Sequence, residues 1–361
     1  MTESIAWPAV RPFLTSWRAL ALALAVALCL RLGPCGAAMP ESVPESGEID
    51  RATARALVDA LVHDVETQAL RPRVQAEYDG AKARLVALLD TPAPALDRRT
   101  LYEAARSMLS TLDTDGHTLL WSKQQAVTWA DFTSPKAAGQ PRVVRAMPAQ
   151  DGGSVLVLRP PQTTFGDTPS TRLYVEALTA QVNRMLEASP PPCGLVIDLS
   201  DQGGGSAWPA ITALASLLTP ANTAEFVDRD GHRRPLVSKG VDEYFFGGTP
   251  PASGLARFAG RPFAVVLTGQ TVSAGEMLAI ALRGEPQART FGRPTVGATT
   301  ANLPTALPDG ATVLLTISRY AYGNDRPLRG PLVPDVEADK NATLEATLEQ
   351  AAAWAGRACR R

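Results

Sequence analysis

CGLVIDLS (193–200) runs directly into DQGGGS (201–206). Leu195, Val196 and Ile197 are contiguous rather than alternating with polar residues. Pro190–Pro192 bound the run on one side and Gly203–Gly205 on the other, as expected of a strand buried on both faces. The surrounding stretches carry matching patterns. SVLVLRP (154–160) predicts a strand, and STRLYVEALTAQVNRMLEA (170–188) an amphipathic helix. A helix at Trp208–Leu218, a strand at Phe263–Thr268 and a helix at Ser273–Arg283 follow. Beyond them the pattern predicts a strand near Arg289–Phe291, a longer alternating strand at Ala311–Tyr320 and a closing helix at Ala342–Ala355. Strands alternating with helices define an α/β layered core.

Upstream, the texture is helical. Ala54, Leu57, Val58, Leu61, Val62 and Val65 recur at i, i+3, i+4, i+7 spacing. The pattern continues through AKARLVALLD and TLYEAARSMLSTL, with a proline break at TPAP (91–94). The extreme N-terminus reads as an address. Arg11 and Arg18 precede an apolar run from Ala19 to Leu30, and Gly36-Ala37-Ala38 supplies small residues for cleavage. That is the layout of a secretory signal peptide. Twelve apolar residues fall short of the ~20 that span a bilayer, although an uncleaved segment would give membrane association. The organisation expected is a signal peptide at 1–38, a linker at 39–48 and a helical N-terminal domain at 49–118. A connecting segment at 119–153 and a core domain at 154–358 complete it. The expected location is periplasmic or secreted.

Of the 361 residues, 35 are Lys or Arg and 36 Asp or Glu, for a formal charge of −1, so no basic stripe points to nucleic acid. The scarce residues decide more. There are three histidines, His63, His117 and His232, and five lysines beside 30 arginines. Four cysteines at these spacings build neither a zinc finger nor a disulfide scaffold. After export two would remain, Cys193 and Cys359. They read either as a disulfide tying the C-terminal helix to the start of a core strand or as two buried thiols.

Three stretches could carry chemistry. In Asp198–Ser206, a strand enters a triple glycine before a helix, which lets backbone N–H groups approach a ligand. A phosphate loop would end in Lys-Ser/Thr, which is missing here. In TVSAGE (271–276), Ser273 opens a helix, where the helix dipole would stabilise a developing oxyanion. Ser-x-x-Glu is also an ordinary capping box. In DTDGHT (113–118), His117 sits in a polar turn with carboxylates beside it, as suits a base whose tautomer must be fixed. His63 and His232 read as surface or packing residues. Together the stretches supply a nucleophile, a base and a backbone oxyanion donor, the set that acyl transfer requires. No His/Asp/Glu cluster has metal-ligand spacing, so neither a metal nor another cofactor is expected.

CGLVIDLSDQGGGSAWPAITALASLL, RPFAVVLTGQTVSAGEMLAIAL, FGRPTVGATTANLPTALPDGATVLLT and GPLVPDVEAD, in that order, resemble the core of the tail-specific (C-terminal processing) serine peptidases. The resemblance implies a ClpP/crotonase-like core of ββα units. Ser273 would be the nucleophile, with an oxyanion hole from the N–H groups of Ala274 and of Gly204 or Gly205. The processing peptidases carry a lysine 25 residues after the serine, and that position here is Ala298. They also insert a PDZ domain of ~90 residues, for which the 36 residues between His117 and Ser154 leave no room. The chain is more similar to the Ser-His branch, which includes the tricorn core, retinoid-binding-protein-like bacterial peptidases and the nisin-resistance group. His117 would then be the base, with Asp115, Glu276 and Asp335 as candidates for the orienting acid and a dyad without a third member as the alternative. The family's Asp-Leu-Arg reads Asp198-Leu199-Ser200, without the arginine.

These readings point to an exported serine peptidase acting on peptides or unstructured polypeptide tails, with no metal and no nucleic acid partner. The alternative is a catalytically inactive protein on the same core that binds peptides or hydrophobic ligands. An acyl-CoA enzyme sharing the glycine-amide logic fits poorly with a secretory segment.

Overall fold

The computed structural model describes residues 47–126, 144–149, 153–163 and 167–360. The signal-peptide reading falls outside them. Among the described residues no helix is long and apolar enough to cross a membrane.

The N-terminal part holds β1 (Glu48–Asp50), α1 (Arg51–Thr67), α2 (Gln75–Ala87), β2 (Ala95–Asp97) and α3 (Arg98–Leu109). Asp50 and Asp97 cap α1 and α3 by accepting from the N–H groups of Thr53 and Thr100 at 2.9 and 2.8 Å. Leu57, Val58, Leu61 and Val65 of α1 are buried as their spacing predicts, against Leu85, Leu101, Tyr102 and Met108. The proline break marks a real end: α2 finishes before it, and β2 follows to pair antiparallel with β1.

Next come β3 (Leu119–Trp121), β4 (Val144–Pro148), β5 (Ser154–Leu158), α4 (Thr168–Leu186), β6 (Gly194–Asp198) and α5 (Trp208–Leu214). β7 (Ala224–Asp228), β8 (Arg233–Pro235), α6 (Val241–Phe246), β9 (Phe263–Leu267), α7 (Ala274–Arg283) and β10 (Ala288–Gly292) follow. The chain closes with β11 (Thr300–Ala306), β12 (Thr312–Tyr322), β13 (Val336–Glu337) and α8 (Leu344–Ala355). The fold is mixed α/β. Six strands form one sheet in the order β13-β10-β9-β6-β5-β4, parallel except for the β4–β5 pair. A second, antiparallel sheet runs β11-β12-β7-β8, with β3 also on β12.

The contiguous apolar runs of β5, β6 and β9 follow from burial on both faces of the main sheet. Leu156, Leu195, Ile197, Val265 and Leu267 face α4, α5 and α7. Val155, Val157, Val196, Ala264 and Val266 face α8. That rear helix is rich in alanine and comes very close. A Cβ at Gly194 would lie 2.8 Å from the carbonyl oxygen of Ala355, so only glycine admits it there. Cys193, at the same edge, is disulfide-bonded to Cys359, with Cα atoms 5.0 Å apart across 166 residues of chain. The helical N-terminal part packs on the second sheet through Leu307, Val313 and Leu315.

Candidate active site

β9 ends at Leu267, and a short turn leads into Ser273 at the N-terminus of α7. The turn is stitched to the end of β6. Thr268 and Thr271 hydroxyls donate to the carbonyls of Ser200 and Leu199 at 2.7 and 2.8 Å, and Val272 N–H donates to Gln202 O at 2.9 Å. A Cβ at Gly275 would sit 2.6 Å from Gln202 O, so glycine there lets the helix start against the glycine loop. Ser273 has φ +52° and ψ −107°, a conformation unusual for a residue with a side chain. Strain of this kind, of order 1–3 kcal/mol, persists where surrounding contacts over-determine it.

Ser273 Oγ lies 3.2 Å from His117 Nε2, although 156 residues separate them. Both side chains are buried. Burial pushes the imidazole down to about 4, against a weaker upward pull from the charge of Asp115. At neutral pH His117 is therefore an uncharged imidazole with a lone pair to offer.

The turn carrying His117 is held from the second sheet. Asp115 also has φ +52°. Its carboxylate pairs with the buried guanidinium of Arg319 on β12 at 2.7 Å, and Arg319 donates to Asp113 O at 2.7 Å as well. Arg329 pairs with Asp113 at 2.6 Å, which keeps that carboxyl below the usual range. Asn302 on β11 donates from Nδ2 to His117 O at 3.1 Å. The second ring nitrogen, Nδ1, lies 2.6 Å from Thr300 Oγ1.

The three candidate acids are engaged elsewhere. Glu276 is fully buried, but its carboxylate accepts from Ser273 N–H at 2.8 Å, from Gly297 N–H at 2.7 Å and from the Thr295 hydroxyl. It holds the backbone of the serine turn rather than the imidazole. Burial moves Glu276 upward, and these donors oppose the shift. Asp115 is committed to Arg319, and Asp335 to Arg283 and to Thr290 N–H. None of the three carboxylates sits on Nδ1; a threonine does.

The glycine loop begins at Gln202, which is bonded to the serine turn through Val272 N–H. Gly204 and Gly205 have φ +104° and +111°, which glycine adopts without penalty. Among the described residues, nothing accepts from the N–H groups of Gly204, Gly205 or Ala274. Gly203 N–H, by contrast, is taken by Asp201 O at 3.0 Å. The arginine missing after Asp198 is supplied from elsewhere. Arg159, just past β5, donates to the buried Asp198 carboxylate at 2.8 Å from Nε, and Ser200 N–H donates to the other oxygen at 3.0 Å.

Sequence reading singled out Ser273, His117 and the glycines, and the fold brings Ser273 and His117 together. It passed over Thr300, Asn302, Arg319 and Arg159. Each acts through a contact more than 35 positions away, beyond the reach of any local pattern. The sequence also suggests no metal cluster, yet the β7–β8 turn brings Asp228, Asp230 and His232 ligand atoms within 4.8 Å of one another. Those groups already serve the turn. Asp228 accepts from the N–H groups of Asp230 and His232 at 2.9 Å, and Asp230 pairs with Arg71.

A serine hydroxyl at a strained strand-to-helix turn, set against a neutral imidazole, is the working pair of the serine hydrolases. Residues 172–338 match peptidase family S41. Over 203 residues the chain is 26% identical to the nisin-resistance protein of Lactococcus lactis subsp. lactis, covering 55% of this chain and 61% of that one. A lipoprotein from Streptococcus agalactiae has the same fold, with a TM-score of 0.63 at 20% identity over 85% of this chain and 96% of the other. The photosystem II D1 C-terminal processing protease superposes with a TM-score of 0.50 at 16% identity, over 83% and 98% of the two chains. The likeness to the S41 serine peptidases covers the segment that carries Ser273 and the glycine loop.

Proposed function

We propose that this protein is an exported serine peptidase that hydrolyses peptide bonds in peptides or unstructured polypeptide tails. Ser273 is the nucleophile, His117 the general base, and the N–H groups of Gly204 or Gly205 and of Ala274 form the oxyanion hole. The observation that carries this reading is the 3.2 Å approach of Ser273 Oγ to His117 Nε2. It falls at the edge of hydrogen-bond reach, and such contacts tighten when substrate arrives. In the reaction, Ser273 Oγ attacks the carbonyl carbon while its proton passes to Nε2. The carbonyl oxygen becomes an oxyanion facing the open amides and the N-terminus of α7. Nε2 then returns the proton to the leaving amine, and water resolves the acyl-enzyme by the same path. Proton transfer of this kind contributes ~10²–10⁴-fold and each oxyanion donor ~10²–10³-fold.

The finer architecture belongs to the same proposal: a ClpP/crotonase-like core at 154–358 behind a helical domain at 49–118, without a PDZ domain. The short span between His117 and Ser154 supports it. Export to the periplasm or medium is supported by the signal-like N-terminus and by the Cys193–Cys359 disulfide, which an oxidising compartment would preserve.

The test is labelling by a fluorophosphonate together with turnover of a peptide library. Wild-type protein should react and cleave. Ser273→Ala and His117→Ala should do neither while melting normally. Peptidolysis retained by Ser273→Ala would exclude the assignment, and ligand-dependent melting without turnover would move the protein to the binding alternative.

A further inference from the structure

Among the described residues, the acidic groups of the His117 turn are already paired. Asp115 pairs with Arg319, and Asp113 is shared among Arg319, Arg329 and Arg73. Glu276, behind the serine turn, is spent on Ser273 N–H, Gly297 N–H and Thr295. On the ring itself the structure gives two partners: Ser273 at Nε2 and Thr300 at Nδ1, the latter at 2.6 Å and buried. Thr300 is the first residue of β11, paired across to Arg319 of β12. The strand that contacts the ring through Thr300 also holds the His117 backbone through Asn302, whose Oδ1 is fixed by the Thr316 hydroxyl at 2.7 Å.

Resting on the dyad reading above, we propose that Thr300 is its positioning residue. Its Oγ1 accepts from His117 Nδ1–H and so holds the ring in the tautomer whose Nε2 lone pair faces Ser273. A neutral hydroxyl thereby occupies the place that a carboxylate fills in a Ser-His-Asp triad. The balance of the step is simple. As the Ser273 Oγ–carbon bond forms, the serine proton moves to Nε2 and the imidazolium carries two N–H groups. Thr300 goes on accepting from Nδ1–H and takes no proton. As the carbon–nitrogen bond breaks, the Nε2 proton leaves with the amine. Without an anion on Nδ1 the imidazolium gains little electrostatic support, so His117 stays unprotonated well into the acid range. Asp115, whose charge gives the ring only a weak upward pull, is paired with Arg319.

Three variants of full-length protein test this. Thr300→Ser keeps the hydroxyl and should remain within about threefold of wild-type kcat. Thr300→Val removes it and should lose about 10–100-fold in kcat, part of the general-base contribution, with KM nearly unchanged. Thr300→Asp puts an anion on Nδ1–H and should move the acid limb of the kcat/KM profile up by one pH unit or more. A threonine that merely packs would give Ser and Val variants of similar activity and an acid limb that stays put in the Asp variant. Either result overturns the proposal. A second readout is independent of turnover and of folding in the variants. In wild-type protein at pH 7, ¹⁵N NMR of the His117 ring should show Nδ1 protonated and Nε2 bare; the opposite tautomer overturns it. Loss of turnover in Ser273→Ala but not in Thr300→Val removes Thr300 alone. Retained turnover in Ser273→Ala removes the dyad, and the tautomer then decides the Thr300 bond by itself.

Discussion

A histidine buried as a neutral ring makes the folded protein slow to accept a proton that the unfolded chain binds readily. Burial takes His117 from the ordinary 6.5 to about 4. Above pH 6.5 neither state is protonated at this residue, and it costs nothing. Between 6.5 and 4 only the unfolded chain takes up the proton, so stability falls as the pH drops. Below 4 both states carry it, and the loss is complete. At 1.36 kcal/mol per pH unit the loss amounts to about 3 kcal/mol. Replacing His117 with glutamine removes the titration and keeps a polar side chain in the pocket. Urea unfolding of both proteins between pH 7 and pH 4 isolates the effect, because carboxylates common to the two cancel in the difference. The wild-type protein should lose about 3 kcal/mol more than His117→Gln over this range. Glu276, whose shift is upward, works in the opposite direction and equally in both. Parallel stability curves would refute the reasoning, since they would mean that the ring is solvated or already charged in the folded state.

Two further outcomes follow from backbone and covalent features. Gly204→Ala forces a side chain onto φ +104° and turns an open amide, so kcat should fall about 10²-fold while the melting temperature changes little; single-turnover acylation with an activated ester checks it. Cys193→Ser should cost about 2–5 kcal/mol in chemical denaturation, and reductant should lower the melting temperature of wild type but not of the variant.

The parts legible from sequence are those where one local pattern has one physical cause. The run at Leu195–Ile197 is apolar throughout because β6 is covered on both faces, and it could be read as such. The spacing in α1 and the capping aspartate before it are similarly local. Ser273 was legible only in part, because Ser-x-x-Glu serves capping and catalysis alike. The structure shows why both fit: Glu276 does hold the serine backbone, while the hydroxyl turns to His117. Short strands such as β7, β8 and β11 carried no clear signal. β11 carries a proline, Pro304, within it, and β8 is Arg-Arg-Pro, exposed throughout. The partner of Nδ1 was not legible for a related reason. The sequence offers Asp115, Glu276 and Asp335 alike, whereas the imidazole's neighbours are set by β11 and β12, nearly 200 residues away.

Ser273 grows from the main sheet, while His117 is clasped by β11 and β12 of the second. The Ser273–His117 distance is thus a gauge of how two separately built layers are seated on each other. A slip of ~1 Å between such layers can cost on the order of 10²-fold in rate without breaking any element of the fold. Substitutions at the seam, far from substrate, should accordingly produce proteins that melt like the wild type and do not cleave. For this molecule, alignment will fail before stability does.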